Sequence, residues 1–412
     1  MPTAFLPRLA QALFPGLFLL AGLLQAEGFR SPTIGTAGLA ASGGRAAFID
    51  DASALAHNPA NLPDLPQWQL SAEPTFVHHS VQYESPQGAT AHTQNPWKLL
   101  PHLFVAGPLS SNLALGLALT VPYGLSVDWD PNGALHSAAP HFVDLKTFNF
   151  NPTLAWRPAP WLNLAAGLDV MWSELHFEQY LPLAPGLEAE SVAKGDGTGV
   201  SGNFALSWRP HPRHRLALGL RAPMDIDYNG HLQVAGVPSA LTPLIPGTSP
   251  FASRIQFPTL FTAAYGFQLH PRLRLETDLE WIQFSRFDQL PIQSPQPLLG
   301  LPTSIPQNWK DTLTLGLGAA WQIHPRWTLR TGYQYFQSPV PDYTFSPSIP
   351  DANQNVLTLG LAARLSPATS LQLAYGYVFY QDRNIAQNQN PAFLGQYQIQ
   401  AHLLSAAFQI RF

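Results

Sequence analysis

Cysteine is absent from the 412-residue chain, which removes disulfides, thiol catalysis, thiolate metal sites and a lipid-modified cysteine. Charge is scarce too: 11% of residues are Asp, Glu, Lys or Arg, against roughly 25% in ordinary soluble domains. Much of the surface is therefore expected not to face water. The formal net charge of -4 gives no basic footprint for nucleic acid. Long apolar runs are also missing. Beyond residue 30 no stretch reaches the about 18 residues that a spanning helix requires. The remaining backbone arrangement that satisfies every peptide group in lipid is a closed β-barrel. What the chain does have, 24 Phe, 12 Tyr and 11 Trp, suits the aromatic girdles of such a barrel.

Residues 1–26 read as a secretory signal, with Arg8 for charge, Leu13 to Leu24 as apolar core and Ala26 before the cut; a membrane anchor is the alternative. From Glu27 to Pro66 the chain is rich in small residues and lacks period-2 alternation. Its spaced apolar residues, Phe29, Ile34, Leu39, Phe48, Ile49 and Leu55, suggest a segment packed against something, with a flexible tail as the other reading.

Beyond residue 66 alternation takes over. In Arg272 to Trp281 the even positions are Arg272, Arg274, Glu276, Asp278 and Glu280, and the odd ones Leu273, Leu275, Thr277, Leu279 and Trp281. Side chains alternate across a strand, so each strand meets two environments. A soluble sandwich alternates as well, but the connections favour a barrel. Short turns (Ser110-Ser111-Asn112, Pro158-Ala159-Pro160, His211-Pro212-Arg213, His270-Pro271-Arg272, His324-Pro325-Arg326, Ser366-Pro367-Ala368) alternate with longer polar loops. Outer-membrane barrels carry short turns on one rim and long loops on the other. About fourteen strands are expected, near 67–79, 97–109, 113–126, 142–157, 161–176, 198–210, 214–230, 253–269, 272–288, 309–323, 326–338, 353–366, 369–382 and 398–412, each of roughly 10 or more residues. The last places Leu404, Ala406, Phe408, Ile410 and Phe412 on one face. It resembles the terminal signal read by the outer-membrane insertion machinery.

Several short pieces in order resemble the long-chain fatty acid and aromatic hydrocarbon outer-membrane transporters of the FadL type. They are Gly28-Phe29, Asp50-Asp51-Ala52-Ser53, Asn58-Pro59-Ala60, Pro122-Tyr123-Gly124-Leu125, Asn308-Trp309-Lys310-Asp311, Thr328 to Tyr333, Ser338 to Asp342 and Ser348 to Asp351. The resemblance covers nearly the whole mature chain. It implies an all-β fold, a transmembrane antiparallel barrel of about 14 strands with an N-terminal plug, or hatch, inside. The expected division is signal peptide 1–26, hatch 27–66 and barrel 67–412. It further implies an inward kink in the third strand that opens the wall sideways. Pro122 interrupts that strand, removing a ladder hydrogen bond, unless it merely ends the strand near its loop. Hatch and lateral gate would then comprise Asn58, Pro59, Ala60, Pro122, Tyr123 and Gly124.

A fatty acid needs an apolar sleeve and a cationic or hydrogen-bonding partner. Lys310 resembles a ligand-head position, with a solvated lysine beside Asp311 as the alternative, and Phe29 and Phe48 are candidate apolar contacts. The accompanying arginine of some relatives has no counterpart in Trp172 to Gln179, so neutral hydrocarbons stay open. The third long loop, 177–197, looks short; Leu181, Leu183 and Leu187 could form a landing patch. His78 and His79 point to opposite strand faces and cannot share one metal. No catalytic motif is recognisable, and no cofactor is called for. The expectation is a bacterial outer-membrane channel, not an enzyme, for passive uptake of hydrophobic molecules. Its partners would be a hydrophobic ligand, outer-membrane lipid and the insertion machinery, without nucleic acid. The alternative is a general diffusion porin for polar solutes.

Overall fold

The computed structural model describes residues 28–294 and 303–412; the expected signal peptide lies outside the described residues. Fourteen antiparallel strands close into one barrel. They are β1 (Gln69–Ala72 and Thr75–Glu84), β2 (Trp97–Leu100 and Leu103–Pro108), β3 (Leu113–Thr120 and Leu125–Asp128), β4 (Phe142–Ala159), β5 (Leu162–Ala184), β6 (Leu187–His211), β7 (His214–Arg221 and Met224–Ala235), β8 (Thr248–Phe257 and Leu260–His270), β9 (Leu273–Ile282), β10 (Thr312–His324), β11 (Trp327–Phe336), β12 (Gln354–Arg364), β13 (Thr369–Tyr380) and β14 (Gly395–Arg411). Closure comes from β14 returning to β1, with Gln69 opposite Arg411 and Thr75 opposite Ser405.

The alternation has the sense expected in lipid. On β10, Leu313, Leu315 and Leu317 are exposed on the outside, while Thr312 and Thr314 are buried inside. On β9, Leu275 and Leu279 face out, and Glu276, Asp278 and Glu280 are buried. Near the short-turn rim, Trp156, Trp161, Trp208, Trp321 and Trp327 are all exposed, forming one aromatic girdle. The turns on this rim have a local chemistry of their own. In the three His-Pro-Arg turns the histidine Nδ1 accepts the arginine backbone N–H, at 3.2, 3.3 and 3.2 Å, and proline fixes the bend.

The segment expected as the third loop is not a loop. Strands β5 and β6 pair, with one register shift at Leu187/Glu188, up to a turn at Pro185-Gly186, Gly186 having φ 74°. Residues 187–197 alternate small residues inside (Ala189, Ser191, Ala193) with Glu188, Glu190 and Lys194 outside, a strand pattern that lacks apolar residues to announce it. Leu181 faces inward and is buried, and Leu183 packs against the same interior cluster; they form no surface patch.

Residues 28–66 form helix α1 (Thr36–Ala40), helix α2 (Ala54–His57) and a 3-10 turn (Pro59–Asp64), enclosed by the barrel as its plug. Its small residues let backbone meet backbone. Gly43 has φ 89°, and a Cβ there would fall 2.4 Å from the Tyr333 carbonyl; one on Gly44 would fall 2.6 Å from Gly318. Polar side chains of the wall then bind the plug's otherwise unpaired backbone, as buried peptide groups require. Glu276 accepts from the N–H groups of Ala47 and Phe48 (3.1 Å for the latter), Asp278 from that of Arg45 (2.9 Å) and Glu73 from that of Thr36 (2.6 Å).

Candidate functional site

The ladder between β2 and β3 runs regularly from Pro108 and Ala114 up to Leu103 and Leu119, then stops. Each strand carries a proline just past the stop, Pro101 and Pro122, and neither can donate to a ladder. At the stop, the N–H of Val121 is taken by the ring Nδ1 of His102 at 3.4 Å. Pairing resumes only at the loop end, where Gln94 donates to the Asp128 carbonyl at 2.6 Å and Thr93 bridges Trp129. Among the described residues no strand pairing joins 95–101 to 121–127, a break of about seven residues, or roughly 20 Å along the strand.

The kinked segment has instead turned inward to the plug. Ser31 donates to the Pro122 carbonyl (3.1 Å), Gly124 donates to the Phe29 carbonyl (2.9 Å), and Arg30 and Tyr123 form a β-bridge. On the other side Thr147 Oγ1 bonds both the N–H and the carbonyl of Tyr123. The expected interruption at Pro122 is thus a bend inside the strand, since β3 resumes at Leu125 and pairs again with β4.

A cavity of about 460 Å³ lies behind the break. Leu99, Leu100, Val121, Leu125 and Phe148 line its wall side, and Val77, Phe336, Val356, Val378 and Leu403 its inner side. Leu99 and Phe148 also belong to the exposed outer face, so the cavity reaches the barrel exterior. Lys98 and Lys146 stand on its lining; Lys146 is already held by Asp144 and Glu174, at 3.0 and 3.1 Å.

The structure separates the residues singled out in the sequence. Tyr123 and Phe29 meet in an aromatic box with Phe257, Phe284, Phe287 and Trp309, ring centroids of Phe29 lying 5.0–5.9 Å from the others. Gly124 lines the cavity. Asn58, Pro59 and Ala60 do not; Asn58 binds the Ala46 carbonyl (2.9 Å) and caps the N–H of Ala60 (3.2 Å), while Leu55 and Leu62 sit against Gly116 of β3. Lys310 is exposed, its backbone N–H bound to Pro339, and only its neighbour Trp309 enters the box. Phe48 lies at the short-turn end, between Arg215 and Arg274 at 5.5 and 5.4 Å. It lines a separate polar cavity of about 570 Å³ with Asp50, Asp64, Arg272 and Arg330. His78 meets Trp97 edge to face outside and His79 lines the inner cavity, opposite faces as expected.

Pro101 and His102 escaped the sequence reading, although a second proline on the neighbouring strand was the available signal. So did the ion pairs that seat the plug. Arg45, almost fully buried, binds Glu280 (2.7 Å) and Gln334 (2.6 Å), and Arg30 also reaches Glu280 (3.0 Å). Asp64 is clasped by Arg157, Arg209 and Arg215. Burial alone would raise its pKa, but these arginines hold it below the usual aspartate range. His57, whose Nε2 contacts the Ile34 carbonyl at 2.8 Å, is pushed down to about 3 by burial and then by the Arg45 charge, so it is neutral at physiological pH.

Comparison with known proteins gives a consistent result. A family model described as outer membrane protein transport protein (OMPP1/FadL/TodX) matches residues 17–412. The chain is 24% identical to a 47 kDa outer membrane protein of Pasteurella multocida over 77% of this chain and 79% of that one. It is 23% identical to the long-chain fatty acid transport protein of Escherichia coli, over 79% and 80%. Among solved structures, a Pseudomonas aeruginosa FadL homologue superposes with TM-score 0.84 at 21% identity, covering 94% of this chain and all (100%) of that one. The toluene transporter TodX of Pseudomonas putida does so with TM-score 0.76 at 17% identity, over 94% and 100%.

Proposed function

Because the chain belongs to the outer membrane transport protein family (OMPP1/FadL/TodX) and resides in the bacterial outer membrane, we propose that it carries hydrophobic small molecules passively inward and releases them sideways into the bilayer through the break between β2 and β3. The observation that carries this reading is the mostly apolar cavity that reaches the outside of the wall where Pro101 and Pro122 interrupt the ladder. Apolar cargo gains by passing from such a cavity into acyl chains without crossing water. A central polar route would have to pass the plug, whose backbone is bonded to β1 and β9.

Phe29 is the gate element in this reading. Its ring fills the aromatic box, and its carbonyl holds Gly124, so withdrawal of the amino-terminal segment frees both the box and the kink. Long-chain fatty acids and aromatic hydrocarbons are the cargo classes of its relatives, and either tail suits the lining. Lys98, on the cavity wall, would meet a carboxylate head; Lys310 would meet it only at the exposed loop surface.

Gly124 offers the test. A side chain there starts with its nearest neighbours at 3.6 Å, so Gly124→Trp projects into the cavity without a backbone clash. Uptake of labelled oleate and toluene by cells that rely on this protein should fall at least about tenfold while the barrel still assembles. Undiminished uptake by assembled Gly124→Trp protein would refute lateral release.

A further inference from the structure

We infer that the loop-side extension of β4, β5 and β6 carries a binding site for a divalent first-row transition-metal ion of the zinc type, formed by His141, Glu178 and Glu190. The inference is independent of the transport reading. It became visible once 177–197 proved to be paired strand, because the ladder then brings residues distant in sequence onto adjoining strands.

His141 immediately precedes β4. Its backbone N–H donates to the Glu178 carbonyl at 2.9 Å and its own carbonyl accepts from Trp129 at 2.7 Å, so its position is set by the sheet. Glu178 lies opposite Phe142, and Glu190 lies opposite Tyr180. The Glu178 carboxylate sits between two imidazoles, 3.5 Å from His141 Nε2 and 3.0 Å from His176 Nε2. Ligand atoms of His141, Glu178 and Glu190 all lie within 4.8 Å of one another.

Ligands about 2.0–2.2 Å from a tetrahedral zinc lie roughly 3.3–3.6 Å apart, close to the 3.5 Å between His141 Nε2 and Glu178, and a water would take the fourth position. An imidazole nitrogen beside two carboxylates suits zinc, nickel or copper better than magnesium or calcium, which prefer all-oxygen sites.

Two further observations separate this group from an ordinary acidic surface. His141 Nδ1 is buried from solvent without a hydrogen-bond partner, and His176 Nε2 stands 3.0 Å from the Glu178 oxygen that faces away from His141, so His176 braces the carboxylate from behind. The site is also held in shape. Tyr180 stacks on His141 at 4.7 Å and on His136 at 4.5 Å, while His136 Nε2 bonds Glu188 at 2.7 Å. Support of ligand orientation by surrounding groups is what metal sites require. Occupancy would tie three strand tips together, one of them β4, whose Phe142 to Leu145 pair with the loop-side part of β3.

The probe is Co²⁺, followed by Zn²⁺ displacement, on the full-length mature protein refolded in detergent. One equivalent should give a visible coordination band that zinc abolishes. Glu178→Gln and His141→Ala should each weaken binding at least about tenfold, and His211→Asn, on a distant turn, should leave it unchanged. Far-UV circular dichroism checks that each variant retains the barrel. In wild-type protein zinc should also slow amide exchange across 176–192. Absence of a saturable band, or a band that survives in both ligand variants, would overturn the site.

Discussion

Replacement of Arg45 by methionine should unseat the plug while sparing the barrel. Arg45 is 3% exposed, and its guanidinium reaches Glu280 at 2.7 Å and Gln334 at 2.6 Å. Removing one partner of a buried ion pair costs about 3–5 kcal/mol because the other charge stays buried. Arg30 still holds Glu280 at 3.0 Å, which places the loss near the lower end, about 3 kcal/mol, or roughly a hundred-fold in the opening equilibrium. Amide exchange at residues 43–48 should accelerate by that factor, and exchange on β9 to β14 should not. Glu280→Gln, which removes the ion-pair partner of both Arg30 and Arg45, should accelerate the same amides. If Arg45→Met and Glu280→Gln both leave exchange of the plug unchanged, the ion pairs do not seat the plug.

The remaining predictions concern the same assembly. His57 is held at about 3, below its ordinary 6.5, so the closed plug binds fewer protons than the opened one. Its contribution therefore weakens as pH falls below about 6.5, by about 1.4 kcal/mol per pH unit, and the difference in plug exchange between wild type and His57→Gln should show that slope. Asp64 acts in a lower window. Its pKa is depressed, so its arginine clasp persists above the usual aspartate range and fails only as pH falls below it; Asp64→Asn should already show at neutral pH, as increased entry of small polar antibiotics. Gly43→Ala combines a left-handed φ with a 2.4 Å approach to Tyr333 and should cost at least about 1 kcal/mol, read as faster exchange at Gly43 and Gly44. Phe29→Ala empties the aromatic box at about 3–5 kcal/mol, and the amides of Ser31 and Gly124 should lose protection together.

The barrel was legible because its strands obey a strict period. The apolar side of β10 or β13 reads directly from Leu313, Leu315, Leu317 or Leu371, Leu373, Tyr375, and lipid forces that face to be apolar throughout. Legibility failed where outward residues meet water, as on Glu188, Glu190 and Lys194, because no apolar stripe marks a strand there. The β2–β3 break was half visible. Pro122 declared itself as an exception within an apolar strand, but its effect depends on Pro101 and on the plug residues Phe29 and Ser31 that take over its hydrogen bonds, contacts that no local spacing encodes. The same holds for Lys310 and Phe48: a family resemblance for the first and an aromatic ring for the second suggested ligand contacts, while only the fold shows that they stand apart from the cavity and from each other.

Lateral release is tested most directly by shutting and reopening the break in one molecule. The chain has no cysteine, so Leu100→Cys with Leu125→Cys places one thiol on each side of the break, which a cleavable disulfide-containing bis-maleimide can bridge and a reductant release. Uptake of labelled hydrophobic cargo should stop on bridging and return on cleavage, while either single-cysteine protein stays active throughout. Full uptake through the bridged barrel would contradict the account.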